Sequence, residues 1–444
     1  MSKLRALIVG GGIGGPVLAI SLKRIGITPI LFESIPDLDS TGVGGAGLMI
    51  APNGLRVLAS IGLDSVVSQN GYPHDKVVMR RDGGKIISQL TSAEKLLQTT
   101  GFVPTGAHRP TLHRTLLEAA ITEGVDVRLG KTLVDLVDDE SNGPVKAIFK
   151  DGSSEEGDFL VGCDGINSRT RVLLFGEQKP HYTNLASTIG ITNASALSES
   201  FTMERTSVLM TCKWSMTLFV ARSGTRLLLN QRILPTNFNY SNCNKKVGPK
   251  GRFGSYPVDR KGNLLWFASF NDPHPNTESW KRNDEESIRK EKNNTKDLLQ
   301  EWKLPSILEI VENSSFLVKL GIFDRPPLKT WQKGRVTLLG DAAHPSSPHL
   351  GQGASMALED AGILSRCLSR YPDDIPKAFA TYERLRIPRT SAMVKAAEQT
   401  GVLMTLSNPV LIFLRDTMFR VMPPWMLLSS MQKAYGYRFD EVEV

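Results

Sequence analysis

Apolar positions near the amino terminus run together rather than alternating. Ala6-Leu7-Ile8-Val9 is a short aliphatic and β-branched stretch, the pattern of a strand buried on both faces of a parallel sheet. The period then changes: Leu18, Leu22 and Ile25 recur at helical spacing, and Gly26 offers a C-terminal stop. Ile30-Leu31-Phe32 reads as a second strand ending in Glu33. Pro29 is awkward in it, because proline belongs at the start or edge of a strand. Two later apolar runs end abruptly in an acid and a glycine. One begins at Phe159 and closes at Asp164-Gly165; the other stops at Gly340-Asp341. After the second come mostly small residues with Pro345, Pro348, Gly351 and Gly353, then a helical pattern from about 354 to 367.

The middle of the chain has a different texture. β-rich apolar runs at 185–191, 208–220, 226–233 and 264–270 predict an antiparallel sheet. Residues 287–302 read as a heavily charged amphipathic helix, and 76–79 with 85–90 as a hairpin around Asp82-Gly83-Gly84 that joins the sheet. From Gly401 onward the chain is apolar and basic, with Arg415, Arg420 and a helix-breaking Pro423-Pro424. Its composition favours packing against the first domain; the second reading is an anchor lying in a membrane interface, or a dimer contact.

At 444 residues the chain is too long for one ordinary core. Its 41% apolar and 22% charged residues are those of a globular protein. The net charge of +8 is scattered, and its densest stretch, 281–296, also holds Asp284, Glu285 and Glu286. Solvated faces account for that better than a nucleic-acid surface. Cysteines at 163, 212, 243 and 367 form no CxxC and no metal spacing, so free thiols in a reducing, cytoplasmic setting are expected. Lys3 and Arg5 before apolar residues faintly suggest a signal peptide, but strand-then-helix explains the same residues better. No segment approaches the roughly 18 uninterrupted apolar residues that span a bilayer.

Between the first strand and its helix lies Gly10-x-Gly12-x-x-Gly15. In such a motif the first glycine turns the chain, the second lets a pyrophosphate approach the backbone, and the third packs helix on sheet. The helix N-terminus then presents free N–H groups and partial positive charge to phosphate. Pro16 is tolerated in that first turn. Glu33, 18 positions after Gly15, stands where a carboxylate takes ribose hydroxyls. A dinucleotide site therefore opens the chain, without saying which dinucleotide.

The ordered set Gly10–Gly15, Asp164-Gly165-x-x-Ser168-x-x-Arg171 and Gly340-Asp341-Ala342-Ala343-His344-Pro345 resembles the single-component FAD-dependent aromatic hydroxylases. These are the class A flavoprotein monooxygenases, related to salicylate and para-hydroxybenzoate hydroxylases. The resemblance runs from residue 4 to about 400. It implies an α/β fold: a Rossmann-like, GR2-type FAD-binding domain from 1–73, 103–182 and 322–395. It also implies a substrate domain built on an antiparallel sheet from 74–102 and 183–321, and a helical tail from 396–444. Arg109, in Arg109-x-x-Leu112-x-x-x-Leu116, looks like the family's arginine near the FAD pyrophosphate. Gly45 and Gly47 look like the loop beside the isoalloxazine, where glycine permits close approach. Asp341 should accept hydrogen bonds from the ribitol. Gly351, Gly353 and Ala354 should offer N–H groups to the pyrimidine edge, aided by the dipole of the following helix. Many relatives have Asn where Ser355 stands, a departure that bears on local hydrogen bonding. Asp164 has two family roles, on the FAD pyrophosphate side and in NAD(P)H docking.

The implied chemistry uses FAD, with NADPH or NADH as transient co-substrate. A hydroperoxide at the flavin C4a then delivers one oxygen from O2 to a small aromatic or secondary-metabolite substrate. His349 beside Pro348 is a candidate for polarising substrate or peroxide, though a turn histidine is more often only hydrogen-bonded. His344 is expected to pack within its loop. Arg205, Arg232 and Tyr256 are candidate substrate contacts in the roof, and no catalytic acid or base stands out. Two rivals remain. One is a flavin enzyme without oxygen insertion, such as a reductase or a halogenase, although the halogenase WxWxIP signature is absent. The other is a non-catalytic FAD-fold binding protein; such proteins lose the flavin contacts that Glu33, Arg109, Asp164 and Asp341 represent here. The sequence leaves the oligomeric state open.

Overall fold

The computed structural model describes residues 3–43, 46–81, 85–138, 143–198, 207–212, 251–274, 285–300, 302, 305–406 and 408–444. The expected strand at 226–233, most of that at 208–220, the Asp82-Gly83-Gly84 turn, and Gly45, Arg205 and Arg232 lie outside those residues.

The first apolar runs form a six-stranded sheet in the order Gln332–Lys333, Val336–Leu338, Phe159–Gly162, Arg5–Val9, Thr28–Phe32 and Asp126–Arg128. All neighbours are parallel except the short outer pair. Helices bury one face, where Phe159 meets Phe379. A three-stranded sheet of Leu133–Asp138, Val145–Phe149 and Ser154–Gly157 buries the other, where Phe32 meets Phe149. These strands therefore need no polar alternation, which is why they read as continuous runs. Pro29 is accommodated by register. Thr28 donates to Leu4 O at 2.8 Å, so the Pro29 nitrogen points the other way. On that side the ladder with Asp126–Arg128 starts only at Ile30, and no N–H is required. The helix Gly14–Arg24 lies across the helix Gly353–Arg370. A Cβ on Gly14 would come within 2.6 Å of Leu339 Cδ2.

A seven-stranded sheet roofs this domain, in the order Ser314–Asp324, His181–Asn193, Asn263–Asn271, Gly251–Pro257, Ser207–Cys212, Lys76–Arg81 and Ile86–Thr91. The expected hairpin is its edge. The sheet is not wholly antiparallel as expected: Ser207–Cys212 runs parallel to Lys76–Arg81, because the hairpin joins from a distant part of the chain. The strand Ser314–Asp324 and the strand Gly251–Pro257 escaped the sequence pattern. Gly251 and Gly254 interrupt the apolar run of the latter, and glycine is needed there because a Cβ on Gly251 would lie 2.3 Å from the Phe270 ring.

Alternation gives the roof two faces. Phe253, Trp266, Ala268 and Phe270 pack outward against the helices Glu285–Leu299 and Pro305–Glu312. Ile189, Ile191, Tyr256, Leu265, Phe267 and Phe316 gather on the other face, with Val258 and Ala46. The long helix Ile375–Met404 runs without a break across position 395. It is followed by the helices Pro409–Val421 and Pro424–Tyr435.

The helix Gly353–Arg370 is held by a buried charge network. Arg386, with no exposed surface, meets Asp360 and Glu359 at 2.6 Å each. Arg389 adds a second contact to Glu359 at 2.9 Å, and Asn53 donates to it at 2.6 Å. Asp360 also accepts from the Gly340 amide at 3.0 Å and bonds His344 Nε2 at 2.6 Å. Burial alone would push Asp360 upward, but His344 and Arg386 outweigh it and hold the carboxyl at about 2. Removing Arg386 would strand two buried carboxylates. Arg386→Met is therefore expected to cost about 3–5 kcal/mol, read as a lower denaturation midpoint; a loss below 1 kcal/mol would contradict the network's importance.

Candidate functional site

Three strand ends stand side by side. Val9 pairs with Gly162, and Gly162 with Leu338. The Cys163 amide donates to Val9 O at 2.7 Å, and the Leu339 amide to Gly162 O at 2.9 Å. The segments after them, Gly10–Gly15, Asp164–Arg171 and Gly340–His344, thus leave the sheet at the same edge. Arg171 clasps two of them: Nη1 donates to Asp341 O at 3.2 Å and Ala342 O at 3.0 Å, and Nη2 to Ile166 O. Sequence reasoning placed Arg171 in its motif but gave it no role, since a clasp between distant segments leaves no local signature.

Each motif residue has a physical setting. Gly10 has φ +107°, and a Cβ there would meet Cys163 O at 2.4 Å, while one on Gly15 would meet Gly10 O at 2.0 Å. Gly12 instead opens outward, with no atom within 4 Å of where its Cβ would stand. Glu33 is buried; its Oε2 accepts the Gly11 amide at 2.6 Å and its Oε1 the Ile35 amide at 3.0 Å. Ser34 Oγ also donates to Oε1 at 2.8 Å, and a carboxylate has about four acceptor positions, which leaves room for about one further hydroxyl donor. Burial lowers the Arg109 pKa, and the charges of Asp341 and Glu33 oppose it, so this guanidinium lies within electrostatic reach of both carboxylates. Asp341 is open to solvent, although protein atoms crowd around its carboxyl. That crowding raises its carboxyl above the ordinary range, against the pull of His344, Arg109 and Arg171. A Cβ on Gly353 would lie 3.7 Å from Asp341 Oδ1, so the carboxylate borders the start of the helix Gly353–Arg370. Half-buried Gly353 and Ala354 form that first turn, which has no side-chain cap and no acid.

Two residues sit differently from the expectation. The Asp164 carboxylate is engaged within its own loop by Ser168 Oγ and by the Thr170 amide and hydroxyl, both at 2.9 Å. It shapes the turn leading into the helix Arg169–Phe175. Gly47 packs under the roof: a Cβ there would reach Val258 Cγ1 at 2.7 Å and Leu265 Cδ1 at 3.1 Å. Ser355, the departure from the family's Asn, accepts the Ala51 amide at 3.0 Å and lies where a Cβ on Gly54 would meet its Oγ at 3.0 Å. A small hydroxyl suits that close helix crossing.

The site suits FAD on these observations. An open Gly12 cradle faces one uncapped helix start, while a second carries Asp341 at its edge. Arg109 is within electrostatic reach of both acids. Gln352 Nε2 and Ser347 Oγ, on the loop between, are buried without a partner among the described residues, and buried polar atoms ordinarily have one. A family model described as FAD binding domain matches residues 3–397. The chain belongs to the class A flavoprotein monooxygenases.

This monooxygenase is 30% identical over 430 residues to aurachin C monooxygenase/isomerase of Stigmatella aurantiaca, covering 94% of each chain. It is 28% identical over 403 residues to 3-hydroxybenzoate 6-hydroxylase of Klebsiella oxytoca, covering 90% of this chain and 88% of that one. In fold it is similar to Klebsiella pneumoniae HpxO complexed with FAD and uric acid, with a TM-score of 0.78 at 22% identity over 97% and 96% of the chains. A salicylate hydroxylase substrate complex gives a TM-score of 0.69 at 20% identity over 99% and 96%. The monooxygenase is FAD-dependent and uses NAD(P)H and O2. Among the described residues no group of His, Cys, Asp and Glu is arranged to hold a metal.

A polar pair joins the roof to the loop around His349. Arg252, buried on the strand Gly251–Pro257, donates to His349 Nδ1 and lies 5.3 Å from the Phe267 ring centre. Since arginine only donates, the His349 proton belongs on Nε2. Burial, and then the Arg252 charge, lower the His349 pKa to about 3. His74, buried near Tyr256, is lowered to about 4, chiefly by burial. Alternation along Arg252-x-Gly254-x-Tyr256 is the signal that would have found Arg252; its phase is visible only once the strand is recognised.

Both histidines have native pKa values below the unfolded value of 6.5, so between about 6.5 and 4 the unfolded chain binds more protons. Stability is expected to fall as pH drops through that window, by at most about 1.4 kcal/mol per pH unit for each group. Unfolding curves at several pH values, in which His74→Gln and His349→Gln each flatten the slope, check this; an unchanged slope in both would refute it.

Proposed function

We propose that this enzyme hydroxylates an electron-rich aromatic compound held between the roof's apolar face and the loop around His349. The observation that carries the reading is the roof itself. Ile189, Leu265, Phe267 and Tyr256 make an apolar ceiling, and the buried Arg252 at its edge reaches down to His349. A flat apolar ring gains from such a ceiling. The Arg252 guanidinium orients an oxygen or carboxylate substituent at one end. Neutral His349 keeps Arg252 in place and holds its own proton at Nε2.

The cofactor-binding roles follow the same geometry. Glu33 takes a ribose hydroxyl, Gly12 and the helix start behind it receive the pyrophosphate, and Arg109 balances its charge. Asp341 takes ribitol hydroxyls, while Gly353 and Ala354 present amides to the pyrimidine edge. Asp164, Gly10 and Gly15 set the backbone that makes those contacts, and Gly47 lets the roof close down. Bound there, FAD supplies reduction by NAD(P)H and activation of O2. The protein excludes water and fixes the ring. We place the reaction in the cytoplasm, in keeping with the free thiols of Cys163 and Cys367.

Asp341→Ala is expected to weaken FAD binding about 10–100-fold, the worth of lost charge-assisted hydrogen bonds; FAD titration that finds wild-type affinity would sink the assigned role. Arg252→Met is expected to keep FAD but raise KM about tenfold or more for acidic or phenolic substrates. The activity itself is tested with a panel of aromatic substrates under labelled dioxygen. Product carrying one labelled oxygen supports the reading, and NAD(P)H-dependent product without label refutes it.

A further inference from the structure

We propose that the outer face of the two carboxy-terminal helices is a docking surface for an anionic lipid bilayer. Of the fourteen large apolar side chains exposed among the described residues, nine lie between Val402 and Met426. Single exposed apolar residues need no explanation, whereas such a concentration marks an interaction surface.

The helix Pro409–Val421 is apolar on two sides. Ile412 and Phe419 turn inward, Phe419 toward Met79, Ile87 and Met404 at the edge of the roof. Val410, Leu414 and Val421 recur at helical spacing on the outside, 56–70% exposed, and Trp425 at the start of the next helix is 67% exposed. This face is held firmly. Arg415 and Asp416 form a buried pair at 2.8 Å, Arg415 donates to Leu403 O at 3.3 Å, and Arg389 donates to Ala434 O at 2.7 Å. Further on, Phe439 is buried against Gly362. The apolar stripe therefore belongs to a fixed surface.

Charge selects the occupant. Residues 402–435 contain Arg415, Arg420, Lys433 and one acid, Asp416. Asp416 is buried with Arg415, which leaves exposed Arg420 and Lys433 as the charges beside the stripe. Exposed acids begin only outside that segment, at Glu398 and at Asp440, Glu441 and Glu443, of which Asp440 and Glu441 pair with Arg438. Apolar side chains including a tryptophan, with Arg420 and Lys433 beside them, match the interface of a membrane with anionic headgroups. A twofold copy of this face would bring like charges together with no acid of this segment to meet them. Among the described residues no helix is long and apolar enough to cross a membrane, so the docking is peripheral.

The test is sedimentation of the full chain loaded with FAD, using vesicles of phosphatidylcholine alone or mixed with phosphatidylglycerol. Binding to the mixed vesicles that weakens with salt is expected. Leu414→Glu with Trp425→Glu should abolish it while flavin content and melting temperature stay unchanged. Arg420→Gln and Lys433→Gln should each lower the partition coefficient about fivefold. Binding equal in the double variant, or no binding to mixed vesicles, overturns the proposal. So does a dimer in solution that the double variant dissociates, which would assign the face to a second copy.

Discussion

The parallel register of three strands from remote parts of the chain governs this molecule. Once Val9, Gly162 and Leu338 are neighbours in one ladder, the loops that follow leave from a single edge. Each of those loops carries a different functional group. Strand carboxyl ends are where open α/β sheets bind ligands, and Arg171 turns proximity into a fixed arrangement by holding Asp341, Ala342 and Ile166 through their carbonyls. A carbonyl clasp uses no side-chain acid, so the Asp341 carboxylate stays open to solvent.

A second constraint works from beneath. Buried ions are costly unless fully met by partners, and Arg386, Glu359, Asp360, Arg389 and His344 meet one another. Through Asp360 the network reaches the Gly340 amide, and through Glu359 it reaches Asn53. The helix start beside Asp341 and the turn at Gly340 are thus fixed to one another. Preorganised donors and dipoles stabilise charge without rearranging at the moment of reaction, so rigidity at this depth serves the chemistry above it.

The roof contributes by having two unlike faces. Its outer face is sealed by helices through Trp266 and Phe253. The inner one carries aromatic and aliphatic side chains, with Arg252 as a polar point that meets His349 on the facing loop. Burial first, and the neighbouring guanidinium second, keep that histidine unprotonated through the physiological range.

The sequence by itself determined the kind of fold. Continuous apolar strands, Gly10-x-Gly12-x-x-Gly15 and two further acid–glycine strand ends are local patterns, and backbone sterics and helix periodicity act locally too. That Glu33 and Asp341 stand just beyond strand ends was legible because each closes such an apolar run. What only the tertiary structure decided depends on partners distant in the chain. Asp164 turns inward to Ser168 and Thr170, Gly47 lies under Val258, and Arg252 meets His349. The strand Gly251–Pro257 was hidden because two glycines interrupt it, and Gly251 answers to Phe270 on the neighbouring strand. The parallel pairing of the hairpin edge, like the outward apolar face of the last helices, was equally out of reach. Periodicity tells how many sides of an element are apolar, and only packing tells which of them is covered.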